Sequence, residues 1–170
     1  MSVTLRSLLF TVLFPGTLTG VLPYIFLHTF ALPRVAPPGV HWLGLLPLVL
    51  GLSVYASCAL AFVTLGQGTP APWDPPRHLV EGRLYRWTRN PMYLGLLLIL
   101  GGEALFWYSP TLAIYTLLIW VAFHLRVVGS EEPTLRRQFG DSYAHYYAEV
   151  PRWLPHLRVV KPRVGGSDGN

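Results

Sequence analysis

Four runs of apolar residues, parted by short polar or proline-rich breaks, divide the chain: 7–32, 42–65, 92–108 and 111–128. A helix rises about 1.5 Å per residue, so about 20 residues cross a hydrocarbon core of about 30 Å. The first two runs are long enough, and the last two sit near the lower bound of about 17. Pro15, Gly16, Gly20 and Pro23 interrupt the first run. It is too long for a signal-peptide core and lacks a small-residue cleavage site, so it predicts a kinked spanning helix. Ser109-Pro110 separates the last two runs. Serine suits a helix cap and proline the first helical position, which predicts a tight antiparallel hairpin. Pro33, Pro37 and Pro38 break the chain over 32–39, and a longer polar segment covers 66–90. The expected fold is all-α: an integral-membrane bundle of about four transmembrane helices with a C-terminal cytoplasmic helical segment. One domain is expected over 1–163. The tail at 164–170, rich in Gly, Ser and Asp, is expected to be disordered.

Composition supports a membrane setting. Hydrophobic residues make up 52% and charged residues 12%, against about 25% charged in an ordinary soluble domain. Mean hydropathy is +0.41. So few charges cannot cover a water-facing surface, which argues against both a disordered chain and a typical soluble enzyme. The single cysteine, Cys58, excludes an intramolecular disulfide and a CxxC-type zinc site. The histidines show no metal-ligand spacing, and no metal is expected.

Net charge is +5, and every basic residue except Lys161 is arginine. Lysine suffices for diffuse attraction to a polyanion, whereas the arginine fork suits carboxylate or phosphate. The bias points to defined anion contacts and membrane lipids, with no nucleic acid expected. Of the 13 Lys and Arg residues, only Arg34 falls outside if the N-terminus lies inside. By the positive-inside rule this predicts a multi-pass protein with both termini cytoplasmic.

Polar chemistry gathers on that side. One segment runs from Arg77 to Gly95 and leads into the third helix, where Asn90 suits the cap and Pro91 the helix start. Exposed amides there suit an anion. The other begins at Glu131-Glu132-Pro133, just past the fourth helix. The hairpin makes the Asn90-Pro91 corner and the Glu131-Glu132 pair neighbours. A ligand bearing both carboxylate and ammonium needs that combination: donors for one end and an acid for the other, or for a ribose diol.

The stretch RWTRNPMYLG resembles the Arg-(His/Asn)-Pro-x-Tyr-x-Gly motif of isoprenylcysteine carboxyl methyltransferases and related phospholipid methyltransferases. EEPTLRRQFGDSYAHYYAEVPRWLP resembles their Glu-Glu-x-x-Leu-x-x-x-Phe-Gly-x-x-Tyr-x-x-Tyr motif. The likeness covers 66–155 and implies an integral-membrane methyltransferase using S-adenosyl-L-methionine. Carried over, Leu79 and Val80 match a His-x-Leu-Val element and Tyr85 the tyrosine after it. Asn90, Pro91, Met92 and Tyr93 match the (His/Asn)-Pro-x-Tyr element, and Glu131 the cofactor-binding glutamate. Two positions depart from the prenylcysteine enzymes: Arg77, followed by His78, stands where they have His, and Asn90 replaces another His. Both bear on the acceptor more than on the cofactor. Arg126 is the approximate counterpart of a basic residue before the Glu pair.

Methyl transfer is an in-line displacement from a sulfonium, so positioning and desolvation carry the rate. A carboxylate acceptor needs no base, whereas an amine must first lose a proton, and His78, His124, Glu131 and Glu132 are the candidate bases. The expected acceptor is lipophilic or lipid-borne and enters from the bilayer beside His124 and Arg126, with Arg126 orienting its carboxylate or phosphate. Residues 132–153 are expected to cover the cytosolic opening. Their Arg136, Arg137 and Arg152 would face anionic headgroups, and Tyr143, Tyr146, Tyr147 and Trp153 would line the pocket or sit in the interface. Two other classes compete: an NAD(P)H-dependent membrane reductase of the steroid-reductase type, with a similar hairpin and motif, and a non-catalytic membrane scaffold.

Overall fold

A computed structural model describes residues 13–30, 37–61 and 82–154, and among these every regular element is helical. A π turn, Thr17–Val21, leads into α1, Leu22–Thr29. The short α2, Val40–Leu43, is followed by α3, Leu45–Ala61. A 3-10 turn, Arg83–Arg86, precedes α4, Pro91–Phe106. α5, Pro110–Arg126, runs through a second π turn, Val127–Glu131, into α6, Glu132–Glu149. The residues 77–80 and the tail at 164–170 lie outside the described residues.

Prolines explain where the helices widen. In the first π turn the Leu22 N–H donates five residues back, to the Thr17 carbonyl. Pro23 has no N–H, so the Leu18 carbonyl loses both possible helical donors. The Tyr115 hydroxyl on α5 donates to it instead, at 3.0 Å, which ties the first helix to the hairpin. The second π turn has the same layout: Glu132 N–H donates to the Val127 carbonyl and Pro133 follows. The wider turn lets the helix pass a proline that would otherwise clash with the carbonyl four residues before it.

The 111–128 helix was expected to stop near its last apolar residue. Instead it continues as one helical run, Pro110–Glu149, of 40 residues. At about 1.5 Å per residue that is about 60 Å of helix, about twice a hydrocarbon core. Gly140, at φ 52° and ψ −124°, kinks it. Two helical runs, Val40–Ala61 and Pro110–Glu149, are long and apolar enough to cross a membrane, while α4 is shorter. Leu46, Leu52 and Leu60 on α3, and Leu117, Leu118 and Leu125 on α5, lie exposed, as lipid-facing side chains do.

The α4–α5 hairpin forms as the sequence predicts. Ser109, buried, accepts the Leu112 N–H on its Oγ at 3.3 Å, and Pro110 takes the first turn. Against α4 lies α3, close enough that glycines are required. A Cβ on Gly44 would stand 2.5 Å from the Gly102 carbonyl oxygen, and one on Gly51 2.6 Å from that of Gly95. The seven-residue spacing 44/51 and 95/102 puts each pair on one face, two turns apart.

Candidate functional site

The end of the hairpin where α4 begins and α5 finishes holds two clusters of polar side chains. In the first, Tyr93 on the first turn of α4 donates its hydroxyl to Glu131 Oε1. Arg126 Nε donates to the same oxygen at 2.8 Å and to the Tyr93 hydroxyl at 3.2 Å. Phe123 packs its ring against Tyr93, centroids 4.4 Å apart. Arg126 and Glu131 stay 45% and 29% exposed, so this acid and base are reachable by a polar ligand.

The second cluster is buried. Glu132, its side chain 10% exposed, accepts two bonds from Arg152: Nε to Oε1 at 2.7 Å and Nη2 to Oε2 at 2.9 Å. Arg89, 9% exposed, adds an ion pair at 3.1 Å. Its hydrogen bonds to Glu132 hold the Arg152 guanidinium above its ordinary pKa. The Tyr147 ring lies 3.9 Å from the Arg89 guanidinium and 4.4 Å from that of Arg136, a cation–π arrangement. Arg152, which the sequence had assigned to lipid headgroups, is bound inward to Glu132, and Arg136 rests on the Tyr147 ring while staying exposed.

Backbone contacts hold residues 150–153 across the hairpin. Arg89 N–H donates to the Pro151 carbonyl at 2.9 Å. The Thr88 hydroxyl reaches the Arg152 and Trp153 carbonyls at 3.0 and 3.1 Å. Asn90 was expected to cap α4. Its side chain makes no cap bond; Nδ2 donates to the Arg152 carbonyl at 3.0 Å instead. Trp153 Nε1 donates to His124 Nδ1 at 3.1 Å.

Of the residues the sequence singled out, Tyr93, Arg126 and Glu131 come together, and Asn90 and Glu132 meet through Arg152. His124 takes its hydrogen bond from Trp153. Pro91 is fully buried at the start of α4. Tyr85 and Met92 pack with Cys58 and Ala61, and burial pushes the Tyr85 phenol well above its usual pKa. The Tyr85 carbonyl accepts the Tyr146 hydroxyl at 2.7 Å. Tyr85 thus packs on α3 with its ring and bonds α6 with its carbonyl. Arg77, His78, Leu79 and Val80 lie outside the described residues. The sequence did not single out Thr88 or Arg89 as clamp residues; a polar run just before a proline-led helix was the available signal.

These side chains could hold S-adenosyl-L-methionine: a partly exposed carboxylate to accept from an ammonium or ribose diol, with a guanidinium and a phenol beside it. The phospholipid methyltransferase family profile matches residues 40–142. A protein-S-isoprenylcysteine O-methyltransferase of Schizosaccharomyces pombe is 29% identical over 120 residues, 61% of this chain and 50% of that protein. One from Xenopus laevis is 30% identical over 129 residues, 72% and 44% respectively. The human protein of that name is 33% identical over 84 residues, 49% and 29%. The chain thus spans half or less of the length of these relatives. The family match takes in α3, the whole hairpin, the Asn90-Pro91 corner and the Glu131-Glu132 pair, and the chain belongs to the phospholipid methyltransferase family.

Proposed function

We propose that the protein transfers a methyl group from S-adenosyl-L-methionine to a lipophilic or lipid-borne acceptor at the cytoplasmic face of a membrane. One observation carries this: Glu131, partly exposed, is fixed by Tyr93 and Arg126 from the two helices of the hairpin. The bound cofactor supplies an electrophilic methyl on a sulfonium. Glu131 would accept hydrogen bonds from its ammonium or ribose, while Tyr93 and Arg126 hold the carboxylate in place. Arg126 also stands where an acceptor's carboxylate or phosphate could pair with it. Glu132 is better suited to positioning than to base catalysis, because Arg89 and Arg152 already engage it. The names of the relatives favour a prenylated cysteine carboxylate as acceptor, and a carboxylate oxygen attacks without first losing a proton.

Calorimetry of the detergent-purified chain with S-adenosylhomocysteine and, separately, NADPH tests the reading. Heat with the first and none with the second is expected; the reverse would favour a reductase. Glu131→Gln keeps the shape and removes the charge. It should weaken S-adenosylhomocysteine binding by about 1.5–3 kcal/mol, the scale of a hydrogen bond to a charged group. Unchanged affinity in the folded variant would remove Glu131 from the cofactor site.

A further inference from the structure

His124 lies two residues before Arg126 and directly after Phe123, whose ring touches Tyr93. Trp120 stacks near it, with centroids 5.9 Å apart, and Trp153 lies at 6.2 Å on a tilted plane. The bond from Trp153 Nε1 reaches Nδ1 of the imidazole at 3.1 Å. An indole N–H only donates, so the nitrogen it meets must be an acceptor. An imidazole has an acceptor nitrogen only when neutral, and its one proton then sits on the other nitrogen. Trp153 is itself held: Thr88 binds the carbonyls of Arg152 and Trp153, and the ring packs on the cluster that includes Tyr93 and Phe123.

We propose that Trp153 is a positioning residue that fixes His124 as the neutral tautomer protonated on Nε2, leaving it a hydrogen-bond donor and not a base. Nδ1 cannot take a proton while the indole occupies it, and Nε2 already carries one. The sequence placed His124 among the candidate bases; this bond removes it from them. Within the methyltransferase reading, on which this role rests, His124 is then a donor through Nε2 and not a proton acceptor.

Nitrogen NMR of the full chain in detergent, with histidine and tryptophan labelled with nitrogen-15, tests the tautomer directly. The measurement belongs at about pH 8, where an unperturbed imidazole is neutral. His124→Gln identifies the resonances by their loss. The expected spectrum shows Nδ1 as a bare ring nitrogen, Nε2 as an N–H, and a coupling across the hydrogen bond between Trp153 Nε1 and His124 Nδ1. In Trp153→Phe the coupling should vanish and both imidazole shifts should move toward the average of two exchanging tautomers. A proton on Nδ1 in the unaltered chain would overturn the proposal, as would shifts that stay put in a folded Trp153→Phe. The unaltered chain decides the first point even if that variant does not fold. Failure of S-adenosylhomocysteine to bind would strike the methyltransferase reading alone, because the nitrogen shifts do not depend on it.

Discussion

Arg152 grips both oxygens of Glu132, with bonds of 2.7 and 2.9 Å, across 20 residues of chain. This fork joins the end of the C-terminal helix back to its own beginning. Its backbone carbonyl meanwhile accepts from Thr88 and Asn90 on the far side of the polar segment. A single residue thus connects the start of α4, the start of α6 and the strand of chain after it. Glu131, one residue before Glu132, inherits its position from that lock.

Glu132→Gln should therefore be costly. It leaves the guanidiniums of Arg89 and Arg152 without their shared counter-charge, and Arg89 is only 9% exposed. Breaking a buried pair from one side costs about 3–5 kcal/mol. With one kcal/mol shifting a midpoint by about 2–4 °C at this size, the thermal midpoint in detergent should fall by roughly 10 °C. A midpoint within a degree or two of the unaltered protein would show the lock to be dispensable.

The glycine face between α3 and α4 makes a second, independent demand. A Cβ on Gly102 would sit 2.7 Å from the Leu48 backbone nitrogen, whereas one on Gly101 would meet nothing within 4 Å. Backbone cannot rotate away as a side chain can, so Gly102→Ala must push the helices apart, at about 1–3 kcal/mol. Gly101→Ala should be neutral or gain up to about 1 kcal/mol, because alanine loses less freedom on folding. Equal effects of the two substitutions on the thermal midpoint would contradict this packing.

Local signals made half of this legible in advance. Ser109-Pro110 identifies the hairpin because a cap and a first-turn proline act on their own neighbours. The hairpin then places Asn90-Pro91 near Glu131-Glu132. What the chain does not show is contact between distant residues. Nothing near Thr88 indicates the carbonyls of residues 152 and 153, and nothing near Arg152 distinguishes a buried ion pair from a headgroup contact. Asn90 carries the residue type of a cap, yet a carbonyl from far along the chain outcompetes the helix end. Pro133 removes an N–H, but the π turn before it absorbs the loss, so the helix runs on past the last apolar residue. The glycines at 44, 51, 95 and 102 give a spacing without saying which helix they meet.

Orientation has a direct test in labelling. The arginine distribution predicts a cytoplasmic C-terminus. Cys58 is 1% exposed and can be replaced by alanine, after which Ser167→Cys supplies one site on the tail. A membrane-impermeant maleimide should label that site only after permeabilisation of intact cells. Labelling from outside would put the polar clusters on the wrong side for a cytosolic cofactor.

Arg126 separates two roles that its position at the end of the apolar α5 leaves together. If it merely reached toward headgroups, Lys would replace it without loss, since both long side chains can snorkel. Its Nε, however, binds Glu131 at 2.8 Å and Tyr93 at 3.2 Å, and a single ammonium does not reproduce the planar guanidinium. Arg126→Lys should therefore loosen Glu131 and weaken S-adenosylhomocysteine binding. The side chain is 45% exposed, so solvent screening holds the loss near the lower end for such bonds, about 1 kcal/mol or fivefold in affinity. Tyr93→Phe removes the other donor to the same oxygen and should act in the same direction. Because the two side chains share one acceptor, the double variant should lose less than the sum of the single losses. Calorimetry of the four proteins measures this coupling, and strict additivity would mean that Arg126 and Tyr93 do not act through Glu131.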